Sequence, residues 1–407
     1  MKCIGCQRFL LLSCVILLLY GCGIANNLRL RQANDGLSMH WTASTQSQRL
    51  PAQFEGFRPF IRVRVNQQTE LMLLVDSGAA FTVLWDTAAV RQLKLVQGYP
   101  LEVGGFGTDK DASAYQSTLA LVDLGPARFE QVQVAVVPLA ASSYFLQPDE
   151  AVFDGVLGYD LMRHFSWEFD RMAGRIMLSS QPYSPGPEQQ MQPFELSWRK
   201  VVVKSSIQLN STVRLAQDVL LDTGSRHFLK INALYLQEHQ LNLDGPLREG
   251  ADFGLSGRHA NLRGQVRSLQ LGAVQLSPVP VNLMAADDAD DWWLVGSGVL
   301  MQHQLVLDYL SGQWLLQSQH DASYQAQSNL TGLELRKLSN GFFIVRDNLN
   351  PQLQGWLAPG DQIVRIAGLA ANEVNELRWI ELSSTTGSLQ LCKAAATKDC
   401  RDILLSP

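Results

Sequence analysis

Leu73-Leu74-Val75-Asp76-Ser77-Gly78-Ala79 and Val219-Leu220-Leu221-Asp222-Thr223-Gly224-Ser225 are the two stretches that decide how this chain folds. Each carries an apolar run into an aspartate, and a carboxylate at the end of a buried strand is costly unless it is paired or used. The aspartates stand 146 positions apart. A lone Asp-Ser/Thr-Gly also reads as a simple turn, since Asp and Gly favour turns and the hydroxyl bonds local backbone. Repetition tips the balance. Downstream of the first motif lie Val156-Leu157-Gly158, Leu161-Met162, Phe169-Asp170, Gly174 and Ile176-Met177-Leu178; downstream of the second lie Leu294-Val295-Gly296, Val299-Leu300, Leu307-Asp308, Gly312 and Trp314-Leu315-Leu316. From the first Gly to the Asp is 12 positions in both copies, and from Gly to Gly is 16 in both. A repeat on this scale implies two copies of one structural unit.

The stretch from Leu73 to Leu84, with the two apolar-apolar-Gly segments, resembles the retropepsin-like aspartic proteases. The closing Phe-Asp and Leu-Asp units, each followed by a Gly and an apolar strand, resemble bacterial members in tandem two-lobe form. The resemblance spans roughly residues 54–318. It implies a mainly β fold: two pepsin/retropepsin-like β-barrel lobes from internal duplication, then a small α/β domain. It also implies that Asp76 and Asp222 are the catalytic pair, and that Ser77, Gly78, Thr223 and Gly224 support the active-site turns. The hydroxyls of Ser77 and Thr223 would bond across the lobe interface. Two carboxylates held together share a proton; the ionised one activates water and the protonated one bonds the scissile carbonyl.

At 407 residues the chain has room for two or three cored domains, and 46% hydrophobic with 17% charged residues is an ordinary globular balance. A formal charge of −5 with scattered Lys and Arg gives no reason to expect nucleic acid. Lys2 and Arg8 followed by the apolar run Phe9–Leu19 fit a signal peptide over 1–21, too short to span a bilayer comfortably. Leu19-Tyr20-Gly21-Cys22 resembles a lipobox, which makes Cys22 the lipidation site and membrane anchor; an ordinary signal peptide or uncleaved anchor is the alternative. Gly23 after the Cys favours the outer membrane, facing the periplasm. Cys392 and Cys400 are the cysteines of the folded part, and their spacing in an exported chain suggests a disulfide rather than two free thiols.

Residues 22–53 are polar and aperiodic, which predicts a tether. Lobe one is expected over 54–180 and lobe two over 197–318, with a proline-bearing linker at 181–196. The final segment, 330–407, contains Leu357-Ala358-Pro359-Gly360-Asp361 before Gln362-Ile363-Val364-Arg365-Ile366, and resembles a bacterial PDZ domain. That resemblance implies a peptide ligand, often a free C-terminus, added as a strand to a sheet edge. Gly332 and Leu333 are the candidates for its ligand loop, with a plain turn as the other reading.

Gly104-Gly105-Phe106-Gly107 is a candidate flap over the cleft, or equally a flexible hairpin loop; Gly254-Leu255-Ser256-Gly257 holds a similar place in lobe two. Arg226 and His227 depart from the bland residues usual after the second turn. Seven scattered histidines supply no metal site, and no cofactor is implied. The acidic run Asp287-Asp288-Ala289-Asp290-Asp291 reads as a solvated loop ahead of a calcium site. The expectation is a membrane-tethered aspartic endopeptidase acting on peptide or protein substrates, monomeric as a catalytic unit. A non-catalytic peptide-binding adaptor on the same duplicated scaffold is the alternative; the retention of both aspartates favours the enzyme.

Overall fold

A computed structural model describes residues 25–286, 288, 291–318, 324–394 and 399–406. The fold is mainly β, as the strand-rich sequence predicts, and its sheets contain 14, 10 and 6 strands. In the first copy, strand Arg58–Val65 hairpins with Thr69–Val75 in a register that pairs Phe60 with Leu74. Asn66 and Gln67 take positive φ of 51° and 59°, the handedness that suits a tight turn between twisted strands. In the second copy, Lys200–Gln208 hairpins with Arg214–Asp222, pairing Val202 with Leu220.

The repeated blocks form the same connections in each copy. Thr69–Val75 runs parallel to Gly155–Leu157, and Arg214–Asp222 runs parallel to Trp293–Gly296. Val83–Trp85 lies antiparallel to the first of these Gly-bearing strands and parallel to Ala127–Val137. Leu229–Asn232 lies antiparallel to the second and parallel to Val279–Met284. The Phe-Asp and Leu-Asp blocks then meet each other, as Ser166–Asp170 pairs antiparallel with Gln304–Asp308 across the lobes. One apolar core runs from Val63 and Phe169 to Leu221, Trp293 and Trp314, so the lobes share their interior.

Two sequence boundaries need correction. Residues 25–53 are no tether: they include a helix over 25–33, strand Met39–Trp41 against Ala127–Val137, and strand Ser47–Glu55 against both Arg175–Ser179 and Arg58–Val65. The segment looks polar because it covers lobe one from outside and buries few residues, Leu30, Asn34 and Leu50 among them. Asn34 is satisfied there by donating to the Gln133 carbonyl and the Asp160 carboxylate. Nor is 181–196 wholly a linker, since Gln192–Pro193 pairs with Gln313–Gln317 and Glu195–Ser197 with Lys200–Gln208.

The last unit, from Leu333 to Leu405, is a six-stranded sheet carrying the helix Glu376–Ser384, whose Asn375 cap accepts from the Arg378 N–H. Its separate core centres on Phe343, Ile363, Trp379 and Leu391. Cys392 and Cys400 sit opposite each other in an antiparallel hairpin and are joined by a disulfide. The signal segment with Cys22, and most of the acidic run at 287–291, lie outside the described residues. Among the described residues no helix is long and apolar enough to cross a membrane.

Candidate active site

Both motifs leave their strands at the lobe interface, and their turns interlock. The Ser77 N–H donates to Thr223 Oγ1 at 3.0 Å while the Thr223 N–H donates to Ser77 Oγ at 3.0 Å. Each hydroxyl then donates onward, Ser77 to the Leu221 carbonyl and Thr223 to the Val75 carbonyl, both at 2.7 Å. Both side chains are fully buried, so these four bonds replace every contact with water that the hydroxyls give up. The lattice leaves the aspartates facing each other. Asp76 Oδ1 accepts from the Gly78 N–H at 2.7 Å, and Asp222 Oδ1 accepts from the Gly224 N–H at 2.9 Å.

The glycines matter because each lies against the opposite carboxylate. A Cβ on Gly78 would stand 2.6 Å from the Asp222 carboxyl carbon, and one on Gly224 would stand 2.3 Å from that of Asp76. Both distances are well inside van der Waals contact. Gly224→Ala therefore must push the carboxylates apart, and we expect roughly a hundredfold or greater loss of turnover, as for other misplacements near 1 Å. Melting temperature and circular dichroism should stay close to the parent. A rate within a few-fold of the parent would show that the carboxylates do not act from this position.

The repeated Gly158 and Gly296 have a related duty behind the turns. Cβ atoms there would meet the backbone of Phe81 at 2.6 Å and of His227 at 2.3 Å. Thr82 Oγ1 accepts from the Gly158 N–H and donates to the buried Asp160. The Ser297 N–H and hydroxyl both donate to the Ser225 carbonyl.

Asp76 is held well above the usual carboxylate range, first by burial, then by the charge of Asp222 and by the hydrogen bond between the two carboxyls. The Gly78 N–H and Lys200 oppose that rise. One proton kept between two carboxyls is the state needed to activate water on one side and a carbonyl on the other.

Sequence reading missed two cations beside this pair. Counted two positions beyond its last pair, Phe60 with Leu74, the hairpin register sets Arg58 opposite Asp76, and both line one cavity. The register that pairs Val202 with Leu220 brings Lys200 level with Asp222 in the same way. Alternation keeps each cation on the face of its aspartate, and all four residues line one cavity of about 710 Å³. The duplication alone pointed to the relation, had the strands before the motifs been aligned by register rather than by distance from the aspartate.

The cavity has a roof drawn from both lobes. Gly104-Gly105-Phe106-Gly107 forms the loop between strands Pro100–Val103 and Ala112–Leu124, and it meets the lobe-two hairpin at Gly254–Gly257. The Ser256 N–H donates to the Phe106 carbonyl at 3.0 Å, and the Asp109 N–H donates to the Ser256 carbonyl at 2.7 Å. The Phe106 ring packs on His227 and His259, with centroids 5.5 and 5.3 Å apart. The poorer-looking lobe-two loop is thus a partner of the first.

The charged residues after the second turn do not crowd the aspartates. Arg226 reaches Glu376 on the C-terminal helix at 2.9 Å. His227 Nε2 stands 3.0 Å from Asp252 on the roof hairpin, and its Nδ1 contacts the Ser225 hydroxyl at 2.7 Å. Burial raises the Asp252 carboxyl, but His227 and Arg263 outweigh it and hold the group far below its ordinary value. Each side chain therefore ties the turn to a different neighbouring element.

The C-terminal unit forms part of the same wall, through Glu334, Leu335, Arg336 and Arg346. Gly332 and Leu333 lie away from the dyad cavity. Gly332 lines a second cavity of about 350 Å³ with Arg248 and Arg263, while the buried Leu333 N–H donates to Thr331 Oγ1.

Residues 61–161 match a family model described as aspartyl protease, a stretch that holds Asp76 and ends just past Gly158. No curated protein matches the chain. Among solved structures, the aspartic proteinase from Irpex lacteus is similar with a TM-score of 0.43 and 15% identity, over 68% of this chain and 98% of that one.

Proposed function

We propose that the protein is an aspartic endopeptidase in which Asp76 and Asp222 share one proton and activate one water against a peptide bond. The observation that carries this reading is the mutual enclosure of the two aspartates, each packed against the other motif's glycine. The ionised carboxylate takes a proton from water as it attacks the carbonyl carbon. The protonated carboxyl bonds the carbonyl oxygen and stabilises the charge that develops there. An extended peptide lies beneath Phe106 and the roof hairpins, which must part to admit it. The non-catalytic adaptor reading has no use for a buried, proton-sharing pair, and such a pair is costly to keep.

The address and handle belong to the same proposal. The leader and Cys22 support a lipid-anchored protein facing the periplasm, at the outer membrane. The PDZ-like C-terminal unit presents Leu333–Lys337 as a sheet edge for a peptide ligand. Its ion pairs with both lobes favour regulation of the cleft over recruitment from a distance.

The test is hydrolysis of a peptide library across pH. Activity needs exactly one proton on the pair, so kcat/KM is expected to be bell-shaped. Its alkaline limb should fall above the ordinary carboxylate range, about pH 4, because Asp76 is raised. Lys200 favours the ionised form of Asp76, so Lys200→Met should move that limb to still higher pH. A movement to lower pH, or no cleavage of any peptide, contradicts the mechanism.

A further inference from the structure

One wall of the dyad cavity has more positive charge than its neighbours neutralise. Arg58 is only 5% exposed, and no carboxylate of the described residues lies within ion-pair distance of it. Its guanidinium faces the rings of Phe60 and Phe153 at 5.3 and 5.9 Å, and its Nε has no partner. Arg336 and Arg346 come to the same cavity from the C-terminal unit. A single carboxylate, Glu150, serves both: Arg346 Nη1 donates to it at 2.8 Å and Arg336 Nη1 stands at 3.6 Å. Arg346 keeps Nε and Nη2 buried and unpartnered. The acidic Glu334 and Asp252 of the wall are taken up by Arg263.

We propose that this wall is a carboxylate subsite, in which Arg58, Arg336 and Arg346 hold an anionic group of the bound peptide inside the cleft. The proposal deepens the endopeptidase reading and rests on it for the identity of the ligand as a peptide. A guanidinium presents forked donors that match a carboxylate, and burying one without its partner is expensive. Arg336 and Arg346 share Glu150 while Arg58 has no carboxylate of its own, so the three guanidinium groups form a cradle that a second carboxylate completes.

The neighbouring phenol reports the same field. Burial pushes the Tyr144 hydroxyl up, yet the charges of Arg336, Arg58 and Arg226, with a hydrogen bond from Arg58, outweigh burial and bring it down to about 7, so this phenol is an anionic partner of Arg58. Arg336 lies 4.0 Å over the Tyr144 ring and donates to its backbone carbonyl. Arg58 lines the same cavity as Asp76 and Asp222, which places the cradle within the cleft. The anion is either an acidic side chain of the substrate or the carboxylate at its C-terminus, and the chemistry is common to both.

The full chain should be assayed on matched peptides that differ only by Glu for Gln, Asp for Asn, or free acid for C-terminal amide. A charge-assisted pair in a buried site predicts roughly ten- to hundredfold higher kcat/KM for the acid, expressed mainly in KM. Loss on Glu→Gln alone identifies a side chain as the anion; loss on amidation alone identifies the terminus. Arg58→Gln should flatten the discrimination, and Arg58→Lys should restore part of it. Equal rates for every acid and amide pair overturn the subsite and leave the endopeptidase reading intact. Equilibrium binding of the same peptides to the full-length Asp222→Asn chain separates the other failure. Preferential binding of acids there, with no cleavage by the parent chain, keeps the subsite and removes the endopeptidase reading.

Discussion

Asp76→Asn and Asp222→Asn, made singly, should each abolish peptide cleavage, with kcat lower by roughly a thousandfold or more. General acid–base participation alone is worth about 10² to 10⁴ in rate, and neither carboxylate can replace the other because both tasks occur in one step. Asparagine keeps the shape and most of the turn bonds: its carbonyl oxygen still accepts the Gly78 or Gly224 N–H. Loss of activity therefore cannot be traced to collapse of the turn. Stability gives a second readout with an opposite sign. Asp76 has a raised value in the folded chain, so its contribution to folding is fully present below the unfolded carboxylate value. That contribution is lost as pH rises through the folded value. Above that pH the parent folds with two carboxylates confined together, and Asp76→Asn should melt higher than the parent. Turnover retained by either single variant, or a melting temperature of Asp76→Asn that does not gain on the parent as pH rises, would break the shared-proton account.

Why the dyad was legible while its surroundings were not follows from where each constraint lies in the chain. Ser77 and Thr223 announce themselves because one local pattern, apolar strand then Asp-Ser/Thr-Gly, specifies strand end, turn and hydroxyl together. The spacing from Gly158 to Asp170, repeated from Gly296 to Asp308, is fixed by a short helix and a strand that enters the shared interlobe sheet. Insertion there would break the sheet, so the spacing survives in both copies.

Arg58 and Lys200 escaped notice because the hairpin turns differ in length. Arg58 precedes Asp76 by 18 positions whereas Lys200 precedes Asp222 by 22. Only strand register aligns them. The covering segment at 25–53 was opaque for another reason: a strand with one solvated face, a helix burying Leu30 and a turn burying Asn34 leave little apolar periodicity. Arg226 and His227 looked intrusive because their partners, Glu376 and Asp252, are distant in sequence. Long-range ion pairs leave no local trace.

Glu150 controls whether the C-terminal unit stays on the cleft, and Glu150→Gln is expected to be the most damaging substitution outside the motifs. The residue sits in the short turn Pro148–Glu150 of lobe one and is fully buried. Its carboxylate accepts two bonds from Arg346 Nη1, at 2.8 and 3.0 Å, and bonds from the Gln147 and Leu146 N–H groups. Removing the charge leaves Arg346, 3% exposed at its side chain, as a buried cation with no counter-charge. Breaking one side of a buried pair costs about 3–5 kcal/mol. That cost falls on the docked state, because an undocked unit returns Arg346 to water. Faster proteolysis between lobe two and the C-terminal unit, near residues 317–329, should accompany a lower melting temperature. The pair is also expected to be partly replaceable: Glu150→Leu with Arg346→Met removes both of its charges but leaves Arg336 without its carboxylate, so it should recover only part of the docking lost in Glu150→Gln. The double variant removes one arm of the carboxylate cradle, so acid preference should weaken even where docking is regained. If Glu150→Gln melts and resists protease like the parent, the Arg346 pair does not hold the unit on the cleft.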